Sequence, residues 1–125
     1  MKKMEKRYSY RLHFYLNASH AMRWNNQLGE EHPHTWELIC QVARGSDEHF
    51  IRFNEIEEQI QTIIDPLQGQ FLNLVPPFDQ ENPSLEQLGE YFFDQIDHQL
   101  ATVHCFLTQL EIGESPTRFF LVKRG

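Results

Sequence analysis

Residues 7–20, which read RYSYRLHFYLNASH, decide the fold because they alternate between two kinds of side chain. One parity is apolar apart from a final histidine, and the other is mostly polar. The apolar parity consists of Tyr8, Tyr10, Leu12, Phe14, Leu16, Ala18 and His20. A period of two is typical of a strand with one buried and one exposed face. The stretch therefore predicts a half-buried β-strand.

A second alternating stretch follows after a gap. Residues 22–31 show no period and contain Asn25, Asn26 and Gly29, so we expect a loop there. The next apolar parity consists of His32, His34, Trp36, Leu38, Cys40 and Val42. We expect this second strand to pair with the first and to end in a turn over residues 44–48.

Two helices occupy the middle of the chain. The first has apolar residues spaced by three and four, with Asn54 as the expected N-cap, and they are Ile56, Ile60, Ile63, Ile64 and Leu67. Pro76, Pro77 and Pro83 interrupt the pattern, and Ser84 then caps a longer helix that runs to Leu100.

Alternation returns at residues 104–114, and a short strand over residues 119–122 ends the pattern. The order of elements is strand, strand, helix, helix, strand, strand. This order predicts an α+β fold in which two helices cover one face of a four-stranded antiparallel sheet. With 125 residues, the chain is expected to form one domain, residues 1–125.

Composition narrows the possible partners. Eleven Lys and Arg against eighteen Asp and Glu give a formal net charge of −7, which repels nucleic acid and anionic lipid. The basic clusters lie near the chain ends, and they are Lys2, Lys3, Lys6 and Arg7, and Lys123 and Arg124. The sequence lacks an apolar run long enough for a signal peptide or membrane span, and Cys40 and Cys105 fall in apolar strands. We therefore expect a cytoplasmic protein with buried thiols.

Three histidines carry the strongest functional signal. His20, His32 and His34 share the core-facing parity of neighbouring strands, so their imidazoles are expected on one face of the sheet. Three neutral imidazoles with an open fourth position are typical of a catalytic zinc site. The alternatives are three separately hydrogen-bonded histidines, or a structural zinc closed by a fourth protein ligand. The other histidines, at positions 13, 49, 98 and 104, are expected on the surface or on a helix face.

Glu114 continues the apolar parity of the third strand. A carboxylate there is costly unless it meets a donor, although the strand could equally have emerged into solvent. A carboxylate at a pocket floor could bind the two N–H groups at the edge of a pterin or guanine ring.

These motifs resemble the 6-pyruvoyl-tetrahydropterin synthase and 6-carboxy-tetrahydropterin synthase family over nearly the whole chain. The matching segments are LNASH at residues 16–20, HPH at 32–34, NPSLEQL at 82–88 and LEIGES at 110–115. The resemblance implies a tunnelling fold and zinc held by His20, His32 and His34. It also implies a pterin-like ligand anchored by Glu114. Further, it implies trimers that pair into a homohexamer, with the sheets closed into a barrel.

Departures from the family pattern affect the expected reaction. The family usually places a catalytic Cys in the loop before the histidine pair, where this chain offers Glu30 and Glu31. An Asp-His pair of the family corresponds to Gln68 and Gly69, which cannot titrate. The resemblance therefore implies either a zinc-dependent pterin lyase that uses Glu30 or Glu31, or an inactive member that binds a pterin or purine or serves as a partner subunit.

Overall fold

The computed structural model describes residues 4–46 and 50–125. The strands are β1 (Tyr10–His20), β2 (Arg23–Trp24), β3 (Gln27–Leu28), β4 (His32–Arg44), β5 (Cys105–Ser115) and β6 (Arg118–Lys123). The helices are α1 (Phe53–Ile64) and α2 (Leu85–Leu100), and short 3-10 turns lie at Asp65–Leu67, Leu72–Leu74 and Ala101–Val103. His49, Lys2, Lys3 and part of the turn expected over residues 44–48 lie outside the described residues.

The main sheet is four-stranded and antiparallel, in the order β1-β4-β5-β6. This confirms the predicted α+β architecture of one such sheet and two helices. In the pairing of β1 with β4, His20 lies opposite His32, and Ala18 lies opposite His34. Directly opposite residues project from the same face of a sheet. The register therefore brings the three predicted histidines to one end of one face.

The core lies between that face and the helices. The alternating residues of β1 and β4 are buried, including Leu16, Trp36 and Leu38, which are fully inaccessible. The helices bury one stripe each, with Ile56, Ile60 and Ile64 on α1 and Leu88, Phe92, Ile96 and Leu100 on α2. The free thiols of Cys40 and Cys105 are buried as predicted. No helix in the described ranges is long and apolar enough to cross a membrane.

The start of α1 differs from the prediction. The helix begins at Phe53 after Arg52, so Asn54 lies inside the first turn and is not the N-cap. The backbone N–H of Arg52 donates to the Glu55 carboxylate at 2.9 Å, and this bond fixes the start two residues earlier. At α2 the prediction is confirmed, because the Ser84 hydroxyl accepts from the Gln87 N–H at 3.2 Å.

The loop expected over residues 22–31 contains a small hairpin. Strands β2 and β3 pair across Asn25 and Asn26, whose φ angles are 51° and 61°. Two successive left-handed residues form the turn that suits a two-residue hairpin, and asparagine tolerates this conformation. Each strand is only two residues long, so the period of two was too short to reveal it.

The outer edge of β1 is partly covered by a loop segment. The side-chain amide of Gln68 donates to the Tyr15 carbonyl at 2.7 Å and accepts from the Asn17 N–H at 2.8 Å. Next to it, the Gly69 N–H donates to the Asn17 carbonyl at 2.7 Å. Gly69 has a φ of 74°, which only glycine adopts readily. The edge is therefore protected over residues 15–19.

Candidate functional site

Two of the predicted histidines touch each other above a buried tryptophan. The ring centroids of His20 and His34 lie 5.0 Å apart at an angle of 79°. Both rings contact Trp36, at 5.1 Å and 5.3 Å, and Trp36 is completely buried. The tryptophan forms an apolar floor that fixes the two imidazoles, which themselves remain half-exposed.

The backbone of the third histidine, His32, lies beside that of His20, but its ring does not contact the other two rings. His32 pairs with His20 across the strands, but its side chain is exposed. Among residues 4–46 and 50–125, no three His, Cys, Asp or Glu side chains are arranged as a group that could hold a metal ion. The structure thus places the three imidazoles on neighbouring strand ends without a closed ligand set.

The hydrogen bonds of His20 fit a metal ligand. Its Nδ1 lies 3.0 Å from the Pro83 carbonyl oxygen, which can only accept, so Nδ1 carries the proton and Nε2 keeps its lone pair. Burial lowers the pKa of His20, and His34 and His32 lower it further, against the opposing effects of the Pro83 hydrogen bond and of Glu114. A neutral imidazole whose second nitrogen donates to a carbonyl is the usual state of a zinc-bound histidine.

Two asparagine amides hold the chain that follows His20. Asn73 accepts from the Ala21 N–H at 2.9 Å and donates to the Ala21 carbonyl at 2.7 Å. Asn82 makes the same pair of bonds to Arg23, at 2.8 Å and 3.0 Å. Each amide replaces the bonds that a neighbouring strand would provide. We call these two residues the amide clamp.

Arg23 returns bonds to the loop that carries the amide clamp. Its guanidinium donates to the carbonyls of Phe78 at 2.8 Å, Glu81 at 3.1 Å and Asn73 at 3.3 Å. The two segments therefore hold each other, and the same loop supplies the Pro83 carbonyl to His20. No local sequence pattern predicts this arrangement, although a buried asparagine needs hydrogen-bond partners for its whole amide.

Glu114 lies beside the histidines at an irregular point of the sheet. The pairing of β5 with β6 shifts between Gly113 and Ser115, which leaves Glu114 in a bulge. Its carboxylate is close enough to raise the pKa of His20, although burial outweighs this effect. Glu114 also lines a cavity of about 210 Å³ together with Tyr15, Thr35 and Pro116, and Tyr15 and Thr35 place this cavity on the face of the sheet opposite His20 and His34. It is half-buried, so it can meet a ligand.

The two candidate proton carriers lie elsewhere in the arrangement. The Ser19 hydroxyl donates to the Glu31 carboxylate at 2.5 Å. Ser19 projects from the opposite face of β1 to His20, so the structure does not bring Glu31 to the imidazoles. Glu30 is exposed. Its carboxylate has no hydrogen bond or ion pair to the described part of the chain.

The positions of the family's Asp-His pair, Gln68 and Gly69, lie at the outer edge of β1. Gly69 lines a cavity of about 420 Å³ with His34, Thr35 and Asn17, and the Gln68 amide is occupied by the edge of β1. Neither residue can exchange a proton. Of the other histidines, His13 pairs with Glu37 at 3.2 Å, while His98 and His104 are exposed.

Comparisons with known proteins identify the family and the fold of the chain. A family model described as 6-pyruvoyl tetrahydropterin synthase matches residues 9–124. The structure of the Caenorhabditis elegans 6-pyruvoyl tetrahydropterin synthase is similar at 14% identity and a TM-score of 0.74, with 100% of both chains covered. A Plasmodium vivax 6-pyruvoyltetrahydropterin synthase, in which a catalytic glutamate is replaced by alanine, has 12% identity and a TM-score of 0.70, covering 96% and 99% of the chains. An uncharacterized Wolinella succinogenes protein has 11% identity and a TM-score of 0.71, covering 97% and 100%.

No curated protein sequence matches the chain. The solved structures show that this chain has the same tunnelling fold as these proteins. The family model covers almost the entire chain. This membership supports a pterin-processing function. The chain belongs to the 6-pyruvoyl tetrahydropterin synthase family.

Proposed function

We propose that the protein is a zinc-dependent lyase that acts on a dihydropterin derivative. The observation that carries this proposal is the placement of His20, His32 and His34 on paired strand ends in a chain of this family. His20 supports it most directly, because its bond to Pro83 leaves Nε2 available. The bond broken in the reaction would be carbon–oxygen or carbon–carbon.

The three imidazoles would hold the zinc ion. When bound, zinc would act as a Lewis acid on the side-chain hydroxyls or carbonyl of the pterin. Trp36 keeps His20 and His34 in place from below, and the amide clamp holds the chain after His20. His32, which is exposed, would have to turn its ring toward the other two. This arrangement leaves a fourth position open for the ligand.

Proton transfer is assigned to Glu30 or Glu31. The Plasmodium vivax relative has a catalytic glutamate, which supports a glutamate in this role here. Glu31 would have to leave Ser19, whereas Glu30 is already exposed to solvent. Substitution of each by glutamine separates them, because glutamine keeps the shape of the side chain but cannot take up a proton.

Glu114 would anchor the ring of the pterin. We expect Glu114→Gln to weaken pterin binding at least tenfold, about 1.4 kcal/mol, because an amide N–H would face a ring N–H. Fluorescence quenching by neopterin or sepiapterin measures the affinity of both proteins. Zinc content serves as the control and should stay unchanged. Equal affinities, or no binding to either protein, would contradict the pterin pocket.

A catalytically inactive protein that binds a pterin or purine, or that serves as a partner subunit, is the second candidate. It is favoured by Gln68 and Gly69, which cannot titrate and stand where the family pattern has an Asp-His pair. Both candidates keep the same fold and ligand site. They differ in turnover alone.

We also propose a cytoplasmic homotrimer or homohexamer. The sheet leaves β6 and the first half of β1 as edges, and exposed edges favour pairing with another chain. Light scattering should therefore give a mass of at least three chains. A mass of 15.0 kDa at micromolar concentration would contradict the assembly.

The decisive experiment combines metal analysis with turnover. Purified protein is assayed for zinc, incubated with 7,8-dihydroneopterin triphosphate, and the products are identified by mass spectrometry. Loss of the triphosphate or of the side chain would support the lyase, and the Glu30→Gln and Glu31→Gln variants would identify the base. Binding without turnover would support the inactive candidate. Zinc without any pterin binding would support a structural metal and overturn the lyase.

A further inference from the structure

Basic residues of the described chain lie at the end of the sheet remote from the histidines. A cavity of about 590 Å³ is lined by Lys6, Arg7 and Arg44, together with the aromatic rings of Tyr8 and Phe106. No acidic residue is among the described residues that line it. Of the N-terminal basic cluster, Lys6 and Arg7 thus border a defined cavity.

The C-terminal basic cluster approaches the same cavity. The Arg124 guanidinium lies 5.2 Å from the centroid of the Phe106 ring, and Phe106 lines the cavity. Asp97 and the Leu107 carbonyl hold Arg124 in that position. Lys123 pairs with Gln109, and Gln109 pairs with Gln41, another residue of the cavity lining. Lys6 and Arg7 therefore lie at the same end of the sheet as Lys123 and Arg124.

The charges of Lys6 and Arg7 are the informative ones. Arg44 and Arg124 already interact with other groups of the protein, in the case of Arg124 with the Asp97 carboxylate. Neither guanidinium therefore needs a bound ligand as a partner. Within residues 4–46 and 50–125, the side chains of Lys6 and Arg7 have no ion pair or hydrogen bond. In a chain with a net charge of −7, two such cations beside a cavity favour an anion.

Size and surroundings define the kind of anion. A volume of about 590 Å³ lies in the range of small-molecule sites. The remaining surface of this acidic chain repels an extended polyanion, which disfavours nucleic acid. Tyr8 and Phe106 provide aromatic surface for a planar ring. The Gln41 amide and the Thr108 hydroxyl add polar groups to the wall.

We propose that this cavity binds a phosphate ester of a planar heterocycle, with Lys6 and Arg7 on the phosphates and the rings of Tyr8 and Phe106 beside the heterocycle. The site is distinct from the candidate zinc site. His32 and Arg44 are the two ends of β4, and its 13 residues separate them by about 40 Å at roughly 3.3 Å per residue.

The test uses ATP, tripolyphosphate and adenosine as probes in magnesium-free buffer, with isothermal titration calorimetry. We expect ATP to bind more tightly than tripolyphosphate because the ring adds contacts, and adenosine to bind at least tenfold more weakly than ATP. Arg7→Gln should weaken ATP binding at least tenfold. The matched control is Arg118→Gln, which removes one exposed charge at the other end of the sheet and should change the affinity less than twofold.

Four results would overturn the proposal. They are no binding of ATP at millimolar concentration, equal affinities for ATP and tripolyphosphate, equal losses in Arg7→Gln and Arg118→Gln, and loss of ATP binding in His32→Ala. The last result would place the nucleotide at the histidines, whereas the proposed cavity should be unaffected by that change. Failure here leaves the zinc-site proposal untouched, because its tests use zinc and pterins.

Discussion

His32→Ala should purify with less than about a tenth of the zinc of the wild-type protein, which should hold close to one ion per chain. The reason is that two imidazoles are too few ligands to retain zinc tightly, whereas three are the common protein contribution to an open site. Inductively coupled plasma mass spectrometry after gel filtration gives the content per chain. Because the His32 side chain is exposed, the fold should be unaffected, and circular dichroism would verify this.

A matched control for this experiment is His98→Ala. His98 is an exposed histidine on α2, at the end opposite Ser84, and its loss removes an imidazole without touching the candidate site. Its zinc content should equal that of the wild-type protein. Full zinc retention in His32→Ala, or equal losses in both variants, would show that the three histidines are not the ligands.

Asn73→Ala should lower the free energy of unfolding by about 2–5 kcal/mol, because it leaves the buried N–H and carbonyl of Ala21 without partners. Urea denaturation followed by fluorescence measures this loss. Asn73 is only 4% exposed, so water cannot easily replace the amide. Asn73→Asp should also destabilise, since a carboxylate would face the Ala21 carbonyl.

Asn82→Ala provides the comparison within the amide clamp. Asn82 makes the same two bonds to Arg23 but is only half-buried, so water can satisfy Arg23 and the loss should be smaller. A change below about 0.5 kcal/mol for Asn73→Ala would mean that the loop relaxes to satisfy Ala21 by other bonds.

Local periodicity explains which parts of the fold could be predicted. A period of two placed Trp36 and Leu38 on the buried side of their strand, and the structure confirms this. On the same predicted parities, His20 is only half-buried, the ring of His32 is exposed, and Tyr8 lies before β1 and is 68% exposed. The start of α1 was wrong because the capping bond comes from Glu55 three residues inside the helix. N-cap preferences describe single residues, whereas the start of α1 depends on the hydrogen bond between Arg52 and Glu55.

The hydrogen bonds by which the amide clamp holds the chain after His20 could not be predicted from local periodicity. Asn73 bonds a residue 52 positions away, and Asn82 bonds one 59 positions away, so no local pattern contains either contact. The position of Glu31 could have been predicted from the sequence. It has the opposite parity to His32, and continuing the alternation by one residue would have placed it on the other face, where Ser19 binds it.

The covered edge of β1 bears on how this chain could evolve. Restoring aspartate at Gln68 would remove the donor to the Tyr15 carbonyl, and histidine at Gly69 would have to adopt a φ of 74°, although the space around its Cβ is empty. Each single replacement therefore costs stability before the pair could exchange a proton. If ancestors of this chain carried the Asp-His pair that the resemblance implies, its loss is difficult to reverse. Regaining the pair would require compensating changes in the loop over residues 68–71.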